Sequence, residues 1–174
     1  MQPLFGWGCF FLCSYIQPES SKNFHNILKK TNLIMNLTEL YSKIEGYAMN
    51  TKNVKQYTIG DPYVTLNSLH INYPVFNAAL NYVTYQDHTV TINMSFYYVA
   101  KLANDSSDLF DLQSEGINAI WNVLKHLEDD YEMDSVDNVQ LYVFNQKFAD
   151  ICCGAWCTVD IVIPLDYCEN YDKE

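Results

Sequence analysis

Four of the chain's six cysteines fall in one stretch, ICCGAWCTVDIVIPLDYC (151 to 168), and thiols are the side chains most able to do chemistry here. Two thiolates can share a zinc ion or close a disulfide, and one beside a histidine can act as a nucleophile. The spacing argues against each. Along a strand, Cys153 and Cys157 share a face but stand about 13 Å apart, at roughly 3.3 Å per residue. A disulfide needs Cα atoms within about 7 Å, and two ligands on one zinc must come equally close. Cys152 points to the opposite face from Cys153. Only a bulge at Gly154, or a reversal near Pro164 returning Cys168 to Cys157, would restore such a site. Cys153, Ala155, Cys157, Val159, Ile161 and Ile163 instead form a period-two apolar face, in which cysteine serves as a small hydrophobe. His25, His70, His88 and His126 are scattered, and no spacing ties one to a thiol.

The acids are the next candidates. LEDDYEMD lacks the alternating Asp/Asn pattern, glycine and distal Glu of a calcium loop. Asp105, Asp108 and Asp111 suit the start of a helix, where the dipole favours negative charge. No phosphate-cradling glycine loop, nucleophile elbow or paired-histidine zinc motif occurs. The residues suggest no cofactor, no metal site and no enzyme.

The elements that must position these residues follow from periodicity. In NLTELYSKIEGYAMN, Asn36 and Glu39 form a capping box, and Leu37, Leu40, Tyr41, Ile44 and Ala48 share a helical face. VKQYTI reads as a short strand closed by Gly60-Asp61-Pro62, and YVTLNSLHI as strand-like or irregular. YPVFNAALNYVTY places Phe76, Ala78, Leu80 and Tyr82 on one side, with Asn77 and Asn81 on the other. TVTINMSFYYVA alternates Val90, Ile92, Met94, Phe96 and Tyr98 against Thr91, Asn93, Ser95 and Tyr97, which predicts a hairpin with one buried face. A second helix is expected from about Ser107 to Tyr131, with Phe110, Ile117, Ile120, Trp121, Leu124 and Leu127 as its apolar stripe. VQLYVFN, with Val139, Leu141 and Val143 on one side, and the cysteine-bearing stretch complete an α+β domain. Its expected form is an antiparallel sheet of four to five strands with two helices on one face.

The 174 residues suit one domain with a proper core. Residues 35 to 168 are read as that domain, 1 to 34 as an N-terminal extension and 169 to 174 as an acidic tail. MQPLFGWGCFFLCSYI has signal-peptide length, but no Lys or Arg precedes its apolar run and no small-residue cleavage site follows. It is also shorter than the roughly 20 apolar residues of a membrane-spanning helix. The pattern becomes regular only at Met35, as it would if translation began there. The net charge of −11 is uneven: residues 1 to 100 carry six Lys and five acids, whereas 101 to 174 carry four Lys and sixteen acids. With no arginine in the chain, the forks that grip phosphate and guanine are missing, and specific nucleic-acid binding is not expected.

The order and joints of these elements resemble the tail-terminator (tail-completion) and neck proteins of tailed bacteriophages. The likeness covers residues 36 to 168. It rests on LTELYSKIEGYA, the GDPY turn, INYPVF, HTVTINMSFYYV, SEGINAIWNVLKHL, VQLYVFN and FADICCGAWCTVDIVIP, with Gly60, Pro74, Trp121, Gly154 and Trp156 as fold-defining positions. The resemblance implies a virion structural protein whose subunits close into a ring, commonly six-fold. Such a ring meets the tail-tube and head-closure or connector proteins, with DNA passing through its channel, no cofactor, no catalysis and no membrane. Together with the charge asymmetry, it makes Glu128, Asp129, Asp130, Glu132, Asp134 and Asp137 candidate channel-facing acids, repelling the DNA that passes. An apolar leader is not usual in that family. The alternative is a secreted or surface-attached binding domain with residues 1 to 16 as its targeting segment.

Overall fold

The structure is a computed structural model, and it describes residues 35–67, 70–86, 89–102, 107–145 and 151–164. The N-terminal extension, with Cys9, Cys13 and His25, lies outside the described residues, as do His88, Asp105, Cys168 and the acidic tail.

Helix α1 (Leu37–Met49) begins where the capping pattern places it. The Glu39 N–H donates to Asn36 Oδ1 at 2.9 Å, and the Asn36 N–H donates to the Glu39 carboxylate at 3.0 Å, so two of the donors that a helix start leaves open are satisfied together. Leu40, Ile44 and Ala48 are fully buried, and each of the two larger side chains contributes roughly 1.5–3 kcal/mol by leaving water.

Strand β1 (Gln56–Ile59) follows. Gly60 ends it with φ +109°, a left-handed conformation natural to glycine. Asp61 then caps the four-residue helix α2 (Pro62–Thr65) by accepting from the Tyr63 N–H at 2.8 Å. The long strands β2 (Val75–Gln86) and β3 (Thr89–Lys101) form the expected hairpin. Helix α3 (Leu109–Glu128) precedes β4 (Ser135–Asn145) and β5 (Cys152–Pro164).

The strands form one sheet in the order β1-β2-β3-β5-β4. The architecture is α+β, with α1 and α3 packed on one face. Every pairing is antiparallel except that of the edge strand β1, which runs parallel to β2. A parallel partner needs a crossover, and residues 60–74 supply it. Leu66, Ile71 and Tyr73 of that crossover pack with Val75, Val99 and Cys152 on the face opposite the two long helices. At its end the Tyr73–Pro74 peptide is cis, and the Pro74 carbonyl accepts from the Lys55 N–H at 2.8 Å, fixing the start of β1 beside β2.

The main core lies between the sheet and the two long helices. Phe76 and Ala78 of β2, Ile92, Met94, Phe96, Tyr98 and Ala100 of β3, and Ala155, Cys157, Val159, Ile161 and Ile163 of β5 meet the buried faces of α1 and α3. The alternation read in β3 and β5 is therefore the alternation that forms the core.

Two assignments of side chains to faces are corrected. In β2 the register shifts between Leu80 and Tyr82, leaving Asn81 as the extra residue of a bulge. Phe76 and Ala78 face the helices, but beyond the bulge the alternation reverses: Tyr82 pairs with Asn93 on the outer face, and Val83 pairs with Ile92 on the helix side. In α3 the buried residues are Gly116, Ala119, Ile120, Val123, Leu124 and Leu127. Phe110, Ile117 and Trp121, expected in the apolar stripe, are 78%, 37% and 59% exposed. The helix is turned because its closest approach to the sheet is at Gly116, where a Cβ would lie 2.9 Å from the Ala155 nitrogen and 3.0 Å from the Tyr98 ring. Small residues must occupy that line, so the buried face shifts to include Gly116 and Ala119 beside Ile120, Leu124 and Leu127, and Phe110, Ile117 and Trp121 are left outside it.

Candidate assembly surfaces

From Cys152 to Pro164 the cysteine stretch is a strand. β5 pairs with β3 in unbroken register from Cys152 to Pro164, so no bulge forms at Gly154. The glycine is nevertheless required. Its φ is +155°, and a Cβ there would lie 2.0 Å from the Tyr98 carbonyl oxygen on the neighbouring strand. Cys152, Cys153 and Cys157 are all buried. Cys153 and Cys157 point toward the helices and Cys152 toward the crossover. Burial pushes the Cys157 thiol up to about 12 and the Cys153 thiol up to about 11, so both stay protonated where a nucleophile or metal ligand must ionise. Among the described residues, no three His, Cys, Asp or Glu side chains gather as a metal ion would need. His70 is exposed, and His126 stacks on Tyr47 with ring centroids 5.1 Å apart.

The candidate acids divide into two groups. Asp130 is only 9% exposed. Its carboxylate accepts from Lys43 Nζ at 2.6 Å and from the Tyr47 hydroxyl at 3.0 Å. Glu132, half-buried, holds the same ammonium at 2.7 Å. Burial alone would push the Asp130 carboxyl up, but the hydrogen bonds from Lys43, the Glu132 N–H and Tyr47 outweigh it and hold the group below the usual carboxylate range. These two acids join α1 to the turn after α3. Glu128, Asp129, Asp134 and Asp137 remain exposed, where α3 ends and β4 begins.

The sheet face opposite the long helices carries two cross-strand arrays. Across β3, β5 and β4, Tyr97, Trp156 and Tyr142 stack with centroid separations of 5.7 and 4.8 Å. Farther along the strands, a row of polar side chains crosses the sheet. Asn81 donates to Asn93 at 2.7 Å and to Ser95 at 2.8 Å, Asn93 donates to Asp160 at 2.6 Å, and Asn138 donates to the other Asp160 oxygen at 2.7 Å. The members satisfy one another, so the face is polar yet closed on itself. Asn77, fully buried beneath the crossover, has its side-chain amide nitrogen, with two N–H donors, within hydrogen-bonding distance of Thr58, Thr65 and the Gly60 carbonyl.

Large apolar side chains are exposed at several places, Val64 and Tyr131 among them, and two groups lie toward opposite edges of the sheet. Beyond Ala78, where β1 stops pairing, no described strand runs beside β2. This arm exposes Leu80, Tyr82, Val83 and Tyr85 by 37%, 53%, 51% and 57%. At the opposite edge, β4 exposes Val139 and Val143, and α3 packs beside it, with Gln113 Nε2 donating to the Phe144 carbonyl at 3.2 Å. The stripe of Phe110, Ile117 and Trp121 lies on this same helix. Sequence reasoning found these residues but placed them in the core; the run of small residues at 116 and 119 was the available sign of the true buried face.

A cleft of about 240 Å³ also opens between the end of α1 and α3, lined in part by Lys52, Asn53, Glu115, Asn118 and Asn122. None of the described helices is long and apolar enough to cross a membrane. Comparison of the sequence with protein-family models and with curated proteins returns no match.

Proposed function

We propose that this chain is a virion structural protein: a subunit that joins copies of itself head to tail into a closed ring, completing a phage tail tube or linking tail to head. The observation that carries the reading is the pair of apolar surfaces on opposite edges of one sheet, Leu80 to Tyr85 on β2 and Val139 and Val143 on β4, with exposed Phe110, Ile117 and Trp121 on α3, the helix that Gln113 ties to β4. Two different sticky edges facing apart are what a heterologous contact requires, and such contacts form rings when the rotation closes. The buried, protonated thiols and the self-satisfied polar row fit a protein that acts through shape. The four exposed acids at the α3–β4 corner suit a channel from which DNA is repelled.

Native mass spectrometry of the full chain tests the reading. A closed ring, with six subunits the expected number, supports it; a strict monomer across the accessible concentration range overturns it.

A further inference from the structure

The geometry points to a specific joint in that ring: the free edge of β4 accepts the β2 arm of the next copy, Leu80–Thr84, so that the sheet continues from one subunit into its neighbour. This inference rests on the ring reading and adds which surfaces meet.

Among the described residues β4 is an edge strand; its register breaks between Asp137 and Gln140, and the regular six residues beyond the break, Gln140–Asn145, are a long enough template for the five-residue arm. The apolar side chains of the two partners lie on matching faces. On β4, Leu141 and Val143 pair with Cys157 and Ala155 and so face the helix side. After its bulge, β2 sends Val83 to the helix side and Tyr82 to the outer side. Added beside β4, the incoming arm places Val83 next to Leu141 and Val143, on the side of the sheet where α3 packs. Tyr82 then falls on the face where Tyr142 ends the aromatic stack. The bulge at Asn81 thus sets the arm in the phase the joint needs.

The area is enough for a stable contact, and charge favours this occupant over a symmetric one. The exposed parts of Phe110, Ile117, Trp121, Val139 and Val143 amount to something on the order of 500 Å². That is more than half of the roughly 800 Å² per partner in a standard stable interface. Exposed Asp134 and Asp137 flank the β4 rim, so two β4 rims meeting would bring like charges together. Leu80–Thr84 carries no charge, and no repulsion opposes it.

The test uses two full-length variants, Val83→Lys on the arm and Val143→Lys on the edge, at positions about half exposed. Unchanged melting temperatures confirm that each subunit is folded, and Trp121→Ala serves as a third, milder probe of the same rim. Each lysine variant alone is expected to need a roughly tenfold or higher concentration to assemble, as for loss of a central anchor. Mixed together, the two should form a dimer and nothing larger, because one intact arm and one intact edge remain. If the native chain forms rings and both variants do so equally well, the joint lies elsewhere and this inference fails while the ring stands. If Val143→Lys blocks assembly and Val83→Lys does not, the contact is β4 to β4 and the inference also fails. A native chain that never assembles removes both readings.

Discussion

Gly154 shows how much one absent side chain can decide. Any Cβ there meets the Tyr98 carbonyl at 2.0 Å, and that carbonyl belongs to the central strand of the sheet, so it cannot yield cheaply. Gly154→Ala is expected to cost more than about 2 kcal/mol, read as a fall in the urea midpoint. Asp130 makes a second residue-scale prediction. Its carboxyl is held below the usual range in the folded protein, so its stabilising contribution is complete above the unfolded value of about 3.9. The contribution is lost as pH falls through the lower folded value. Thermal melts from pH 6 to pH 2 should therefore show an acid-side loss that is smaller in Asp130→Asn, with the variant less stable at neutral pH. An equal acid-side loss in both proteins would assign the effect to other groups.

At the scale of elements, α3 separates what the sequence made legible from what it hid. Its existence and extent could be read from the period of its apolar residues, as could α1 from its capping box and β3 and β5 from their alternation. Its orientation could not. A hydrophobicity stripe weights large residues, whereas the contact with β5 is set by how near the backbones come, and that favours Gly116 and Ala119. The phase of β2 was hidden for a related reason: one inserted residue leaves the composition of a strand unchanged while reversing its faces. The parallel placement of β1 depended on a crossover whose residues carry no regular period. Adjacent substitutions test the rotated helix. Ile120→Ala, at a fully buried position, should destabilise the subunit by about 2–4 kcal/mol. Trp121→Ala, more than half exposed, should change subunit stability by no more than about 0.5 kcal/mol while weakening assembly. Comparable losses of stability would return Trp121 to the core.

For the whole molecule, the candidate surfaces were legible as residues but not as surfaces, because an edge exists only once strand order is known. The acids illustrate this. The sequence grouped six of them, and the fold pairs Asp130 and Glu132 with Lys43. In the proposed ring, Glu128, Asp129, Asp134 and Asp137 face the lumen. A cryo-EM reconstruction of the assembled ring checks this: acids on the outer circumference would remove the electrostatic role without touching the ring itself.

The polar row from Asn81 through Asn93 and Asp160 to Asn138 has a mechanical meaning in such an assembly. If subunits join edge to edge, the circumference of the ring runs across the strands, and outward pressure from a packed genome becomes hoop tension in that direction. Backbone ladders carry such a load in series, so the weakest ladder sets the limit. The side-chain row spans β2, β3, β5 and β4 along the same line, tying one strand to the next at a fixed height and working as a tension band within each segment of the hoop.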